Sequence, residues 1–471
     1  MTNKDKIDAY FCGREDEFVR AISRLVAIRS VAGEAEPGAP FGPGPAEALK
    51  EALALACEWG FETENIDGYV GAADISRKET ALHIPVHLDV VGEGGGWTVT
   101  RPFEPKVVDG VLYGRGVNDD KGPLVAALFA LRAVKELGIP LRANARVLMG
   151  TNEENGSSDM AYYYSRRPYA PYAFSPDADF PVINIEKGHY QPEFTKSWEK
   201  SDASPRVSSL QGGFRFNVIP SKAEAVVTGL GLGQLEPFRA KAAAQTGASV
   251  SLREEADGTR ILCESSGGHA AEPRKANNAL TALLELLSAL PLADCGSTQA
   301  VRALHALFPY GDNEGNALGI AQSDDLSGPL TVAFTMLTMT ETRLTGRFDS
   351  RTALCATEQN CRLPAEKALG GYGFAVTGYD KMSLPHHTPA DSEFVKTLLR
   401  CYETYTGNKG GCIAIGGGSY VHDIPGGVAF GCTMPGFEPN LHAANECMPI
   451  ADLVTSAKIF ALAITELCGE K

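Results

Sequence analysis

A histidine and an aspartate lie two residues apart at the end of an apolar segment of this sequence. The segment "LHIPVHLDVV", residues 82–91, has the length and composition of a buried β-strand, and a run of glycines follows it. Side chains two residues apart on a strand point to the same face of a sheet, so His87 and Asp89 are expected to lie side by side. A carboxylate beside an imidazole accepts its second N–H and orients it towards a metal ion.

Four further clusters of acidic residues or histidine follow predicted strands. They are "NDDKG" with Asp119 and Asp120, "TNEENG" with Glu153 and Glu154, "SPDAD" with Asp177, and "NLHAAN" with His442. Each cluster alone is explained by ordinary turn or helix-capping chemistry. Together they are harder to explain, because carboxylates packed against one another repel unless a cation lies between them. The combination therefore predicts a metal site.

The predicted site offers imidazole and carboxylate groups and no thiolate. This donor set suits Zn²⁺, with Mn²⁺ or Co²⁺ as alternatives. Five ligands, one of them a bridging carboxylate, would bind two cations about 3.5–4 Å apart, and such a pair lowers the pKa of a water molecule towards about 7. One member of the Glu153–Glu154 pair would bind metal, and the other would serve as the general base.

The elements that must position these residues follow an α/β pattern interrupted in the middle of the chain. Helical and strand patterns alternate up to about residue 187, and the alternation returns near residue 385. The sequence between them favours an inserted α+β domain, residues 188–384. We therefore predict a catalytic domain, residues 1–187 and 385–471, with a mainly parallel sheet flanked by helices. Such sheets bind ligands beyond the carboxyl ends of their strands.

The predicted elements of the catalytic domain are defined by their hydrophobic periodicity. The expected helices are 18–27, 45–59, 122–137, 393–404 and 451–467. The expected strands are 82–91, 145–150, 180–185, 412–415 and 428–430. In the insert, helices are expected at 280–290 and 365–369.

Composition excludes several classes of partner. The net charge of −15 argues against nucleic acid or an anionic membrane, since both require clustered Lys and Arg. No run of about 18 apolar residues is present, so no membrane span is expected. The 11 cysteines are scattered without a C-x-x-C pair, which is typical of reduced thiols in the cytoplasm.

The motifs together resemble the co-catalytic zinc metallopeptidases of the aminoacylase/carboxypeptidase clan, in particular the dipeptidases of the peptidase V type. The resemblance covers nearly the whole chain and is carried by "HLDVVGEGGGW", "YGRGVNDDKGP", "GTNEENGSSDM", "FSPDADFPV", "GGHAAEPRKANNAL" and "PNLHAANE". It implies five ligands to two zinc ions: His87, Asp119, Glu154, Asp177 and His442. It also implies that Asp119 bridges the ions and precedes a cis peptide bond, that Glu153 is the general base and that Asp89 orients His87.

The resemblance assigns a role to the insert as well. In this clan a smaller domain closes over the metals, and in peptidase V-like enzymes it is a large lid within one chain. The matching residues are His269, which would donate to the oxyanion, and Asn217 and Arg351, which would bind the terminal carboxylate of the substrate. A surface ion pair is the alternative explanation for Arg351.

A glycine-rich stretch, "IGGGSY", offers further backbone donors for a substrate. It lacks the Lys-Ser/Thr of a phosphate-binding loop, so we expect Gly417, Gly418 and Ser419 to help bind the carboxylate of the substrate instead. The remaining histidines are expected to be structural or solvated; they are His83, His189, His305, His386, His387 and His422.

The predicted function is that of a metal-dependent dipeptidase in which Glu153 takes a proton from an activated water. Hydrolysis of N-acyl amino acids and a short-peptide aminopeptidase activity remain alternatives, since the metal chemistry is the same. A metal-binding or peptide-binding protein without catalysis is a further alternative, disfavoured because Glu153 and all the ligands are present. The expected partner is a small peptide, and a built-in lid favours a monomer.

Overall fold

The structure, a computed structural model, describes residues 1–470. Its α-helices are α1 (Asn3–Phe11), α2 (Glu15–Val26), α3 (Pro43–Glu58), α4 (Lys121–Glu136), α5 (Ser158–Tyr164), α6 (Leu232–Thr246), α7 (Ala279–Ala289), α8 (Gly296–Leu307), α9 (Leu363–Gly371), α10 (Glu393–Thr406) and α11 (Ile450–Cys468). Over the described residues, none of these helices has both the length and the apolar character needed to cross a membrane.

The β-strands fall into three groups along the chain. The first group is β1 (Glu62–Ile66), β2 (Val70–Asp74), β3 (Thr80–His87), β4 (Lys106–Val108), β5 (Val111–Tyr113), β6 (Asn144–Gly150), β7 (Tyr172–Ser175), β8 (Ala178–Asp179) and β9 (Val182–Glu186). The second is β10 (Gly188–Tyr190), β11 (Glu193–Ser197), β12 (Arg206–Gly212), β13 (Val218–Ile219), β14 (Lys222–Thr228), β15 (Ser249–Glu255), β16 (Gly258–Glu264), β17 (Gly268–His269), β18 (Ser323–Asp324), β19 (Gly328–Pro329), β20 (Thr331–Met339), β21 (Arg343–Thr352), β22 (Ala375–Gly378) and β23 (Met382–Ser383). The third is β24 (His386–His387), β25 (Cys412–Ile415), β26 (Val428–Ala429), β27 (Cys432–Thr433) and β28 (Cys447–Pro449).

The chain forms two compact units. The first contains Met1–Ile185, His387–Ala414 and the chain from Gly418 onwards, and the second contains Glu186–His386 together with Ile415–Gly417. The sequence predicts Ile415–Gly417 in the catalytic domain, whereas the structure places this segment in the second unit. The segment packs closely there, since a Cβ on Gly416 would lie 3.1 Å from the Cβ of Ala271 and 3.7 Å from Cγ of Arg351.

The first unit contains a mixed sheet in the order β1–β2–β6–β3–β7–β26–β9. Its central strands β6, β3, β7 and β26 are parallel to one another, whereas β1, β2 and β9 join it in antiparallel pairs. The predicted α/β class is confirmed, although the sheet is mixed at both sides of its parallel centre. The last six residues of β3 are buried, as expected for a strand covered on both faces.

Two long helices form the core behind this sheet. Helix α4 and helix α11 pack against each other, and most residues of both are buried. Helix α4 is rich in Ala and Leu, and the chain leaves it through Gly138, whose φ of 63° suits a residue without a Cβ. Because the loop before α4 carries Asp119, this packing fixes the position of one predicted ligand.

The second unit is an α+β structure. Its sheet is antiparallel and runs β15–β16–β14–β12–β20–β21–β10–β23, with β11 beside β21. Helices α6, α7, α8 and α9 contribute to its hydrophobic core together with Phe194, Phe308 and Phe334, whose rings stack on one another. The α+β character predicted for the insert is therefore present.

One histidine of β3 predicts how stability depends on pH. His83 is 3% exposed, its Nδ1 lies 3.0 Å from the hydroxyl of Tyr164, and burial together with the charge of Arg146 lowers its pKa to about 4. The unfolded chain, with an ordinary histidine pKa, binds a proton at pH 5 that the folded chain does not. We expect the metal-free protein to lose about 2 kcal/mol of unfolding free energy between pH 7 and 5 through this residue. Urea unfolding of a His83→Gln variant at both pH values should show that loss removed; an unchanged pH dependence would contradict the assignment.

Candidate active site

Three of the predicted ligands form a first cation-binding group in the first unit. His87 ends β3, Asp119 lies just before α4, and Asp177 lies in the turn between β7 and β8. Nε2 of His87 is 2.8 Å from Oδ1 of Asp119 and 3.5 Å from Oδ2 of Asp177. One nitrogen and two oxygens therefore converge, with all three ligand atoms within 4.8 Å of one another.

A second group contains Asp119, Glu154 and His442. Nε2 of His442 is 2.8 Å from Oδ2 of Asp119 and 3.2 Å from Oε1 of Glu154. His442 lies in a loop and has a positive φ of 57°, an uncommon conformation for a residue with a side chain. These atoms also lie within 4.8 Å of one another.

Asp119 is common to both groups. Its Oδ1 lies next to His87 of the first group, and its Oδ2 lies next to His442 of the second group. The peptide bond between Asp119 and Asp120 is cis, as the resemblance implied. A single carboxylate with one oxygen in each group is the arrangement that a bridging ligand between two cations requires.

The residues fit the metal ions that the resemblance implies. Two buried atoms of the groups, Nε2 of His87 and Oε1 of Glu154, have close charged neighbours but no well-aligned hydrogen bond within residues 1–470. Burial would lower the pKa of His442, but its hydrogen bond to Asp119 and the nearby carboxylate of Glu154 raise it to about 11. The carboxylates therefore strongly favour positive charge at this place, and a pair of divalent cations would supply it.

Asp89 contacts His87 differently from the prediction. The strand ends at His87, and Nδ1 of His87 lies 2.8 Å from the backbone carbonyl of Asp89, with the carboxylate Oδ1 farther away at 3.6 Å. The carboxylate of Asp89 instead accepts the backbone N–H groups of Glu153, at 3.0 Å, and Glu154, at 3.1 Å. Asp89 thus joins the predicted ligand His87 to the loop of the predicted base, through its backbone carbonyl on one side and its carboxylate on the other.

Glu153 lies in the same environment as the predicted ligands without belonging to either group. Burial raises the pKa of its carboxyl well above the ordinary value, the charge of His87 lowers it, and the charges of Asp177 and Glu154 raise it further. A carboxylate that is near the ligands and is not itself a ligand has the position expected of a general base.

Glu446 supports the predicted bridging aspartate, Asp119, and was not among the residues predicted from the sequence. Its carboxylate is fully buried and accepts the backbone N–H groups of Gly116, Asn118 and Asp119 at 3.0–3.2 Å. Arg115, also buried, donates to it at 2.7 Å. The sequence signal for this pair was the presence of one arginine, Arg115, and one glutamate, Glu446, in segments next to predicted ligands. Two buried charges of opposite sign stabilise each other, so each could have suggested the other.

Asn217 and His269 lie next to each other in the second unit. Strands β13 and β17 pair antiparallel, and the backbone N–H of Ala270 donates to the carbonyl of Asn217. Oδ1 of Asn217 is buried and makes no hydrogen bond within the described chain. Nδ1 of His269 accepts the N–H of Ala271 at 3.2 Å, so a neutral ring carries its proton on Nε2 and can donate from there.

Arg351 lies on β21 and is 5% exposed, which excludes the simple surface ion pair. Its Nε and Nη2 donate to the two carboxylate oxygens of Asp349 at 2.9 and 2.8 Å. Nη1 donates to the carbonyl of Gly416 at 2.6 Å and lies 3.1 Å from Nε2 of His189. The pair of guanidinium donors that was predicted to bind the carboxylate of the substrate therefore binds the carboxylate of Asp349 in this structure.

The glycine-rich stretch lies where the chain leaves the second unit. Gly417 is the last residue of that unit, and Gly418 and Ser419 begin the final segment of the first. The carbonyl of Ser419 accepts the N–H of His422 at the start of a short 3₁₀ helix, Tyr420–Asp423. A role in binding substrate stays a prediction for these three residues.

Comparisons with known proteins agree with the motifs. The model of peptidase family M20/M25/M40 matches residues 83–466. YtjP of Bacillus subtilis strain 168 is 33% identical over 463 residues, covering 96% of this chain and 98% of the relative. A Beta-Ala-Xaa dipeptidase of Lactobacillus delbrueckii subsp. lactis is 30% identical over 463 residues, with 97% of each chain covered.

Among solved structures, human carnosine dipeptidase 1 has the same fold. The TM-score is 0.59 at 16% sequence identity, and the alignment covers 99% of both chains. The family match spans all five predicted ligands, which the structure brings together in the first unit. This confirms the resemblance seen in the motifs: the chain belongs to peptidase family M20/M25/M40.

Proposed function

We propose that this protein is a dipeptidase that hydrolyses the peptide bond of short peptides with the help of two metal ions. The observation that carries the proposal is the shared Asp119, with one oxygen in each of two groups of metal-binding side chains. The dipeptidase named among the relatives, similar over nearly its whole length, supports a dipeptide as the substrate class.

The two ions are proposed to be Zn²⁺, with Mn²⁺ or Co²⁺ as alternatives. His87, Asp119 and Asp177 would hold one, and Asp119, Glu154 and His442 the other. When bound, such a pair lowers the pKa of a water molecule and polarises the carbonyl of the substrate. The mixture of imidazole and carboxylate donors without thiolate supports this choice.

Glu153 is proposed to move the proton in the reaction. It takes a proton from the attacking water and passes it to the nitrogen of the leaving amine, so the carboxylate is regenerated in each cycle. Its location beside the ligands but outside both groups supports this role. Asp89 holds the backbone of this residue at 3.0 Å and thereby limits how far the carboxylate can move.

Groups of the second unit are proposed to bind the substrate. His269, with its proton on Nε2, would donate to the oxyanion of the tetrahedral intermediate. Asn217 and Arg351 would bind the terminal carboxylate, although Nε and Nη2 of Arg351 donate to Asp349 and its Nη1 also donates to Gly416. Gly417, Gly418 and Ser419 would add donors to the same carboxylate. The insert would act as a lid that limits substrate length.

The proposal includes a monomer in the cytoplasm. The 11 cysteines, all within residues 1–470, are free thiols in the structure, which agrees with a reducing compartment. Hydrolysis of N-acyl amino acids and aminopeptidase activity are the competing enzymatic functions, because the same metal chemistry serves all three. A metal-binding or peptide-binding protein without catalysis is the alternative from another class of protein.

A substrate panel combined with metal analysis tests this function. The purified protein should contain about two zinc equivalents and cleave a dipeptide at least about tenfold faster, in kcat/KM, than a tripeptide or an N-acetyl amino acid. Removal of metal with a chelator should abolish turnover, and added Zn²⁺ should restore it. Preferential cleavage of the tripeptide or the N-acetyl compound would replace the dipeptidase assignment, and no turnover with full metal content would favour a binding protein.

A further inference from the structure

The loop that carries Glu153 is held by two buried carboxylates. The N–H groups of Thr151 and Asn152 donate to a single oxygen, Oδ2 of Asp159, at 2.6 and 2.9 Å. The next two N–H groups along the chain donate to Asp89, as described above. Four successive backbone donors are thus fixed, two by each aspartate. Asp89 also contacts a metal ligand, whereas Asp159 has no part in either cation-binding group.

A tyrosine from a distant part of the chain completes this arrangement. The hydroxyl of Tyr420 donates to the same Oδ2 of Asp159 at 2.6 Å, and the side chain is 2% exposed. Its ring meets that of His87 edge-on, with centroids 6.3 Å apart. The space is filled so closely that a Cβ on Gly150 would lie 1.9 Å from the hydroxyl oxygen. Only glycine fits at the end of β6 beside this pair.

Three donors on one buried oxygen have a physical consequence for the neighbouring base. A carboxylate removed from water is stable only when its oxygens accept hydrogen bonds, so loss of the phenol donor weakens the hold of Asp159 on Thr151 and Asn152. A shift of the base by about 1 Å can reduce the rate about 100-fold. We propose that Asp159 and Tyr420 are positioning residues that fix the loop of Glu153 for proton transfer. This inference rests on the proposed function, in which Glu153 is the base.

The test compares Tyr420→Phe with Tyr163→Phe. Tyr163 is a matched control because it is also buried and lies in the first unit, and its hydroxyl accepts a hydrogen bond from Arg146 at 3.0 Å. We expect Tyr420→Phe to lower kcat about tenfold while KM changes less than about twofold and two metal ions are retained. Tyr163→Phe should leave kcat unchanged. Equal effects of the two variants on kcat, or a loss of metal in Tyr420→Phe, would overturn the inference.

A double variant shows whether Tyr420 acts through the base. In a Glu153→Ala background, Tyr420→Phe should cause no further loss of the residual activity, since the group that it positions is gone. A further tenfold loss would overturn the inference. If Glu153→Ala itself keeps full turnover, the proposed role of Glu153 fails; if Glu153→Ala is inactive and Tyr420→Phe is fully active, only the positioning inference fails.

Amide hydrogen exchange gives a readout that does not depend on catalysis. In the metal-free protein, the amides of Thr151 and Asn152 should exchange at least about tenfold faster in Asp159→Asn and Tyr420→Phe than in the wild type. Amides of helix α4 should be unchanged, which shows that the fold is intact. Unchanged exchange at residues 151 and 152 in both variants would overturn the inference even if turnover falls.

Discussion

Glu153→Ala should reduce kcat for a dipeptide by about 10²–10⁴-fold while the protein keeps both metal ions. The carboxylate of Glu153 belongs to neither candidate cation-binding group, so its removal leaves all five predicted ligands in place. What is lost is the proton transfer from water to the leaving amine. Steady-state kinetics together with zinc analysis of the purified variant measure the two quantities separately.

The neighbouring glutamate is the matched control for this variant. Glu154→Ala removes the same type of side chain one position along the chain, but Oε1 of Glu154 lies 3.2 Å from Nε2 of the predicted ligand His442. We expect this variant to lose about one zinc equivalent in addition to activity. If Glu153→Ala lost metal and Glu154→Ala kept both ions, the roles of the two residues would have to be exchanged.

Asp119→Ala should have the largest effect on metal binding, because it removes a ligand from both groups at once. We expect the affinity for both ions to fall by more than about 100-fold and dipeptide turnover to disappear. Asp177→Ala removes a ligand from one group only and should weaken one ion while the other stays bound. Titration of the metal-free variants with Zn²⁺ in a calorimeter resolves the number and affinity of the sites.

A control for these titrations is Asp74→Asn. Asp74 belongs to the same unit, is partly buried and forms an ion pair with Arg146 at 2.7 Å, but it lies outside both groups. The Asp74→Asn variant should bind two Zn²⁺ ions with the affinity expected of the wild type. If Asp119→Ala still bound one ion with unchanged affinity, Asp119 would be a ligand to a single metal and not a bridge.

The main elements of the first unit could be predicted because their sequences are strongly patterned. Helix α4 was expected over 122–137 and spans Lys121–Glu136, and helix α11 was expected over 451–467 and spans Ile450–Cys468. The order of the strands could not be predicted, because β26 lies between β7 and β9 in the sheet although it is far from both in the sequence. Strand β1 was missed because "ETENI" is a largely exposed polar edge strand without an apolar face.

The site could be predicted only in part, for a physical reason. The five candidate ligands could be proposed from the sequence because acidic pairs and histidines at strand ends are costly without a cation, and that cost is visible in the sequence. The supporting residues Glu446, Asp159 and Tyr420 act on backbone N–H groups. Any buried acid or phenol can do so, and nothing in its own sequence context identifies the loop that it holds.

The shared position of Asp119 also divides the two predicted cation sites unequally along the chain. One group needs only residues that precede the inserted unit, whereas the other needs His442, which follows it. A chain that lacked the segment after the insert would therefore retain one complete group and lose the other. On the proposed function, such a chain would bind at most one ion in a complete site and would not cleave a dipeptide.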